Sequence, residues 1–128
     1  MSRITIISEG APKPAGPYSQ GIRSGDFVFV SGQIPLDPET NELIEGDMRK
    51  QAERALKNLE SVLVAGNSSL DMVIKLTVYL VDISDFLIVN SVFSDFFPNQ
   101  PPARETVQVS GLPKGARIEI SAIGLARS

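Results

Sequence analysis

Between Met48 and Leu63 the apolar residues fall at Met48, Ala52, Ala55, Leu56, Leu59, Val62 and Leu63. Steps of three and four draw one stripe along an α-helix. Asp47 is placed to cap its start and Gly66 to stop it. On both sides the period changes to two. "MVIKLTVYLVD" (72–82) alternates, with Ile74, Leu76, Val78 and Leu80 on one face and Lys75, Thr77 and Tyr79 on the other. A helix with one apolar stripe, set among strands with one apolar face, must pack on a sheet.

The remaining segments extend that pattern. "RITII" (3–7) reads as a short strand. "YSQGIRSGDFVFVSG" (18–32) reads as two strands about a turn at Ser24-Gly25-Asp26. "LDPETNEL" (36–43) has turn residues between two short extensions. Ser84 is placed to cap a second helix running to about Phe97, with Phe86, Val89, Phe93 and Phe96 inward. "ETVQVS" (105–110) and "ARIEISAIGLA" (116–126) are final strands around the turn "GLPKG". The order is β-β-β-α-β-α-β-β, which favours an α+β fold with both helices on one face of a mixed sheet. The uncovered face of such a sheet often finds cover by oligomerising. With 128 residues and no internal repeat or linker, the chain is expected to be one domain.

Composition limits the chemistry. Cysteine and histidine are both absent. That removes disulfides, Cys- or His-ligated zinc, and nucleophilic centres built on a Cys-His or Ser-His pair. Acid–base work at neutral pH falls to carboxylates, tyrosine, lysine, hydroxyls, backbone groups or water. The net charge of −3 carries no basic run, which counts against nucleic acid or an anionic membrane as the main partner. No apolar stretch nears the ~18 residues of a membrane span, and no secretory signal stands out. The expected location is cytoplasmic; Arg3 is a weak pointer to a mitochondrial pool. "NSS" at Asn67 matches a glycosylation sequon and is read as chance without a secretory route.

Four features bear on function. In "PPARETVQV" (101–109) two prolines stiffen the approach to Arg104. An arbitrary arginine is usually a surface residue in a weak ion pair. One held at the opening of a strand suits a planar carboxylate, through charge-assisted hydrogen bonds. Glu119 lies within a strand between two isoleucines, where a solvent-facing glutamate is the ordinary reading. If Thr106 pairs across from Glu119 in a hairpin, then Arg104, Thr106 and Glu119 share one face; a slip of one residue separates them. "GPYSQG" (16–21) and "VSGQIP" (30–35) set glycine beside Tyr18 and Ser31, either as plain turns or as places of close backbone approach.

Taken together, "APKPAGPYSQG", "VFVSGQIPLDPET", "NLESVLVAGNSSLDMVIKLTVYLVDISDF", "VNSVFSDFF" and "PPARETVQVSGLPKGARIEISAI" resemble the Rid (YjgF/Rid) family, in particular its RidA-type 2-iminobutanoate/2-iminopropanoate deaminases, near its fungal members. The resemblance runs from about Ala11 to Ile123. It implies a chorismate-mutase-like α+β fold and a homotrimer with an inner β-barrel and clefts between subunits. It implies hydrolysis of enamines and imines, such as 2-aminoacrylate, 2-iminopropanoate and 2-iminobutanoate, to 2-keto acids and ammonia, with no cofactor or metal. By the same resemblance Arg104 binds the substrate carboxylate and Glu119 handles the attacking water. Tyr18, Ser31, Gly32, Asn90 and Thr106 fall on substrate-binding positions. Thr106 stands where many members carry cysteine, and Ser121 replaces a second acid. Hydrolysis of an imine needs no thiol. Two alternatives stay open: a non-catalytic 2-keto-acid-binding regulator, and a translation-inhibiting endoribonuclease.

Overall fold

The computed structural model describes residues 2–127. Strands β1 (Ile4–Ile6), β2 (Gly21–Ser24) and β3 (Phe27–Gln33) precede helix α1 (Met48–Ala65). Strand β4 (Val73–Leu80), helix α2 (Phe86–Phe96), β5 (Ala103–Gln108) and β6 (Ile118–Leu125) follow. The order and the α+β class agree with the periodicities. Asp47 Oδ1 accepts from the Lys50 amide at 3.0 Å, and Gly66 closes α1 by donating to Val62 and Leu63. Leu36 and Leu43 pair across the 36–43 turn, as the two short extensions required.

All six strands form one sheet in the order β1-β2-β3-β6-β4-β5. Among the described strands, β4 and β5 are the one parallel pair. Helix α2 supplies the crossover that parallel neighbours need. Both helices lie on one face. Leu56, Leu59, Val62 and Leu63 of α1, with Val89 and Val92 of α2, meet Val28, Leu76, Val78, Leu80, Ile118 and Ile120 of the sheet, all fully buried. Each such side chain contributes roughly 1.5–3 kcal/mol. The opposite face is open. It presents Phe27, Phe29, Val107 and Leu125, each about two-fifths exposed.

Four local expectations change. The last two strands are not a hairpin: β6 lies between β3 and β4, and β5 runs at the edge. Ile118, Ile120 and Ala122 gain most burial in the centre, whereas the polar β5 is suited to an edge. Strand β5 opens at Ala103, so Arg104 lies inside it rather than at its mouth. A register shift between Val73 and Lys75 buries Val73 and leaves Ile74 on the exposed side. The second helix is introduced by a 3-10 turn at Ile83–Asp85, and the capping side chain is that of Asp82 at the start of this turn, which accepts from the Ser84 amide at 2.9 Å; α2 itself begins after Asp85 without a side-chain cap.

Candidate active site

Arg104 sits opposite Leu76 in the β4–β5 ladder. Leu76 is buried beneath the helices, so Arg104 points to the same side, under the rim of α2. Its Nη2 donates to Asn90 Oδ1 at 2.6 Å. The guanidinium carbon lies 5.4 Å from the centre of the Phe86 ring and 5.2 Å from that of Phe93. Burial pushes its pKa below the ordinary arginine value, though an arginine stays charged at any physiological pH. Among the described residues, no carboxylate stands within ion-pair distance of it. It lines an open cavity of about 460 Å³ with Asn90, Phe93, Phe97, Pro101 and Pro102. Thr106, two residues on, faces the same way opposite Val78, and its buried hydroxyl has no hydrogen-bond partner among the described residues.

Glu119 is elsewhere. It pairs with Tyr79, so it projects from the open face of the sheet. Burial raises its carboxyl pKa above the usual glutamate value. The side chain lies across Gly32. A Cβ built there would come within 2.7 Å of the Glu119 carboxyl carbon, closer than real side chains pack. The bulge that shifts register between Val30 and Gln33 carries Ser31 and Gly32 to this position. Glu119, Gly32, Tyr18, Gln20 and Lys114 line a second cavity of about 90 Å³.

The turn bearing Tyr18 is tied to β3. The Ser31 amide donates to Gln20 O at 2.9 Å and the Ser31 hydroxyl to Ser19 O. The Tyr18 hydroxyl accepts from the Ala15 amide at 3.2 Å. Gln20 is buried and donates to Ser8 O and Pro12 O while accepting from the Ser8 amide. Asn41, with φ of 59°, bonds both backbone groups of Lys13 and accepts from Lys114 Nζ at 2.7 Å. Three loops are thus joined around the Glu119 cavity.

One chain therefore holds two separate clusters. Arg104, Thr106 and Asn90 stand together, and Glu119, Gly32, Ser31 and Tyr18 stand together. The single face expected for Arg104, Thr106 and Glu119 is not formed. Strand β4 intervenes, and the paired positions Leu76 and Tyr79 are three residues apart, an odd step that reverses the face. Sequence reasoning missed the roles of Gln20, Asn41 and Lys114, which carry no local pattern. It placed Phe86 and Phe93 in the core only. The signal for more was present: Asn90 falls on the same helical stripe.

The family model described as Endoribonuclease L-PSP matches residues 8–126. The chain belongs to the YjgF/Rid family. This Rid chain is 49% identical to a RutC family protein of Pyrococcus abyssi, over 96% of its own length and 97% of that protein. It is 41% identical to the human 2-iminobutanoate/2-iminopropanoate deaminase, over 98% and 91% respectively. It superposes on the E. coli TdcF structure with bound serine at a TM-score of 0.92 and 41% identity, covering 98% of this chain and 99% of that one. Among the described residues, no helix of the Rid chain is long and apolar enough to cross a membrane.

Proposed function

We propose that the chain is a 2-iminobutanoate/2-iminopropanoate deaminase, a single RidA-type domain that works as a homotrimer with a cleft wherever two copies meet. The observation that carries this reading is Arg104: a partly buried cation held by an amide and two rings, with no carboxylate partner among the described residues. Its counter-ion is the substrate carboxylate. The human deaminase and the serine-bound E. coli relative both support a small amino-acid-derived ligand.

A monomer is incomplete on this reading. The Arg104 cluster lies at the β5 edge and the Glu119 cluster on the open face. Two copies that cover each other's open faces bring one cluster to the other. Phe27, Phe29, Val107 and Leu125 are the apolar surface such packing would bury.

The chemistry follows from the parts. Arg104 holds the carboxylate and orients the C=N carbon. Glu119 of the facing copy accepts a proton from water as the oxygen attacks that carbon. The carbinolamine then takes the proton back on nitrogen, the C–N bond breaks, and ammonia leaves with the electron pair; the remaining O–H proton passes to the Glu119 carboxylate as the C=O of the 2-keto acid forms, and from there to ammonia, giving ammonium. Net, one protonated imine and one water give one 2-keto acid and one ammonium ion. Tyr18, Ser31 and Gly32 wall the cleft, and Thr106 lies beside the carboxylate site. A raised carboxyl pKa brings Glu119 closer to the pH at which a base is most effective.

The test is a coupled assay. An amino-acid oxidase or a dehydratase generates the imine, and 2-keto acid formation is followed with and without the protein. Wild type accelerates it, and Arg104→Ala does not. A wild type that binds 2-ketobutyrate yet leaves imine loss unchanged would be a regulator instead. The family's endoribonuclease description makes RNA the other candidate. Net negative charge and the lack of a basic stripe weigh against it. RNA cleavage abolished by Arg104→Ala, without imine turnover in wild type, would decide for it.

A further inference from the structure

Three side chains of α2 converge on one guanidinium. Phe86, Asn90 and Phe93 are spaced by four and three residues, so they share one face of the helix. The two rings stand two turns apart, about 10 Å along the axis. The Arg104 guanidinium carbon is nearly equidistant from them, at 5.4 and 5.2 Å. Between the rings Asn90 accepts its Nη2–H at 2.6 Å, short for N–H···O and in keeping with a charge-assisted bond.

We propose that Phe86, Asn90 and Phe93 form a three-point holder that presets Arg104 for a planar carboxylate, and that Asn90 is a positioning residue rather than a substrate ligand. This rests on the reading that Arg104 takes the substrate carboxylate. A free arginine side chain spreads over many rotamers, and ordering it on binding costs affinity. The holder removes that cost beforehand. Its members are all neutral, so they fix the guanidinium without cancelling its charge. An acidic holder would fix the geometry equally well and compete with the ligand. Four of the five N–H donors remain for the carboxylate. Phe86 is 37% exposed, so core burial alone does not account for its place.

The test uses the full chain and 2-ketobutyrate as the probe. Asn90→Leu keeps the branched shape, with somewhat more bulk, and removes the acceptor. Phe86→Leu removes one ring at a partly exposed position and serves if Asn90→Leu does not fold. Calorimetry reads affinity, the coupled assay reads KM and kcat, and NMR reads the Arg104 Nε–H resonance. In wild type that resonance should be shifted by the rings, and its guanidinium should rotate slowly. Both variants should average the signal and raise Kd and KM about tenfold, with kcat little changed. Asn90→Asp should keep the pinned signal yet bind 2-ketobutyrate more weakly, because its charge offsets that of Arg104. Wild-type Kd and KM in both leucine variants, with Arg104→Ala still abolishing binding, would overturn the holder and leave the carboxylate site standing. Absence of 2-ketobutyrate binding in wild type, or binding indifferent to Arg104→Ala, would overturn both.

Discussion

Arg104 and Glu119 lie on opposite faces of one sheet, two strands apart. Arg104 is opposite Leu76 and Glu119 opposite Tyr79, on either side of β4. No rotamer of either brings the two together through a hydrogen-bonded sheet. A reaction that uses both must take them from different copies.

That geometry predicts complementation. Arg104→Ala and Glu119→Gln should each be inactive in the coupled imine assay. Unfolded together and refolded as a one-to-one mixture, they should regain about a quarter of wild-type activity if, as proposed, a working cleft draws its arginine from one copy and its glutamate from another. A mixture no more active than its components would rule out a shared cleft.

Gly32 should be needed for Glu119 rather than for the turn. Gly32→Ala drives a methyl into the Glu119 side chain and should lower kcat/KM by at least about tenfold, with circular dichroism unchanged. Gly25 offers the contrast. Its φ is +58° with open space around it, so Gly25→Ala should cost about 1 kcal/mol of stability in denaturant melts and leave activity alone.

The pH response of Glu119 has a definite sign. Burial raises its folded pKa above the ordinary 4.5. The group therefore favours the folded state below its unfolded pKa, and that contribution is lost as pH rises through the folded value. Glu119→Gln should gain stability relative to wild type as pH climbs from acid toward neutrality, read as a difference in Tm. The acid limb of kcat/KM in wild type should lie above the ordinary glutamate range. Parallel melting curves for the two proteins across this window would contradict the burial of the charge.

Thr106 carries a buried hydroxyl with no partner among the described residues. Thr106→Val keeps the shape and removes the unpaired group, so stability should rise by up to about 1 kcal/mol. Activity should stay within about threefold of wild type. A large loss of kcat would show that the hydroxyl meets the substrate or a bound water.

Much of the scaffold was legible in the chain itself. The steps of three and four from Met48 to Leu63, with Asp47 and Gly66 at the ends, are sufficient for α1 because helix hydrogen bonds and caps are local. Alternation marked Leu76, Val78 and Leu80 as a buried face, and Pro101-Pro102 drew attention to Arg104. The spacing of Phe86, Asn90 and Phe93 was equally visible, though nothing along the chain said that an arginine would enter between the rings.

Strand neighbours were a different matter. Placing β6 between β3 and β4, and β5 parallel to β4, depends on which arrangement buries the most apolar surface over the whole sheet. No window of residues contains that comparison. The bulges at Ile74 and at Ser31–Gly32 exist only relative to a partner strand, and each reverses the faces beyond it. So residue type could nominate Arg104 and Glu119 as a cation and a base. Their separation onto two faces arose from long-range pairing, because side-chain direction in a sheet is set by register, and register is a property of two strands at once.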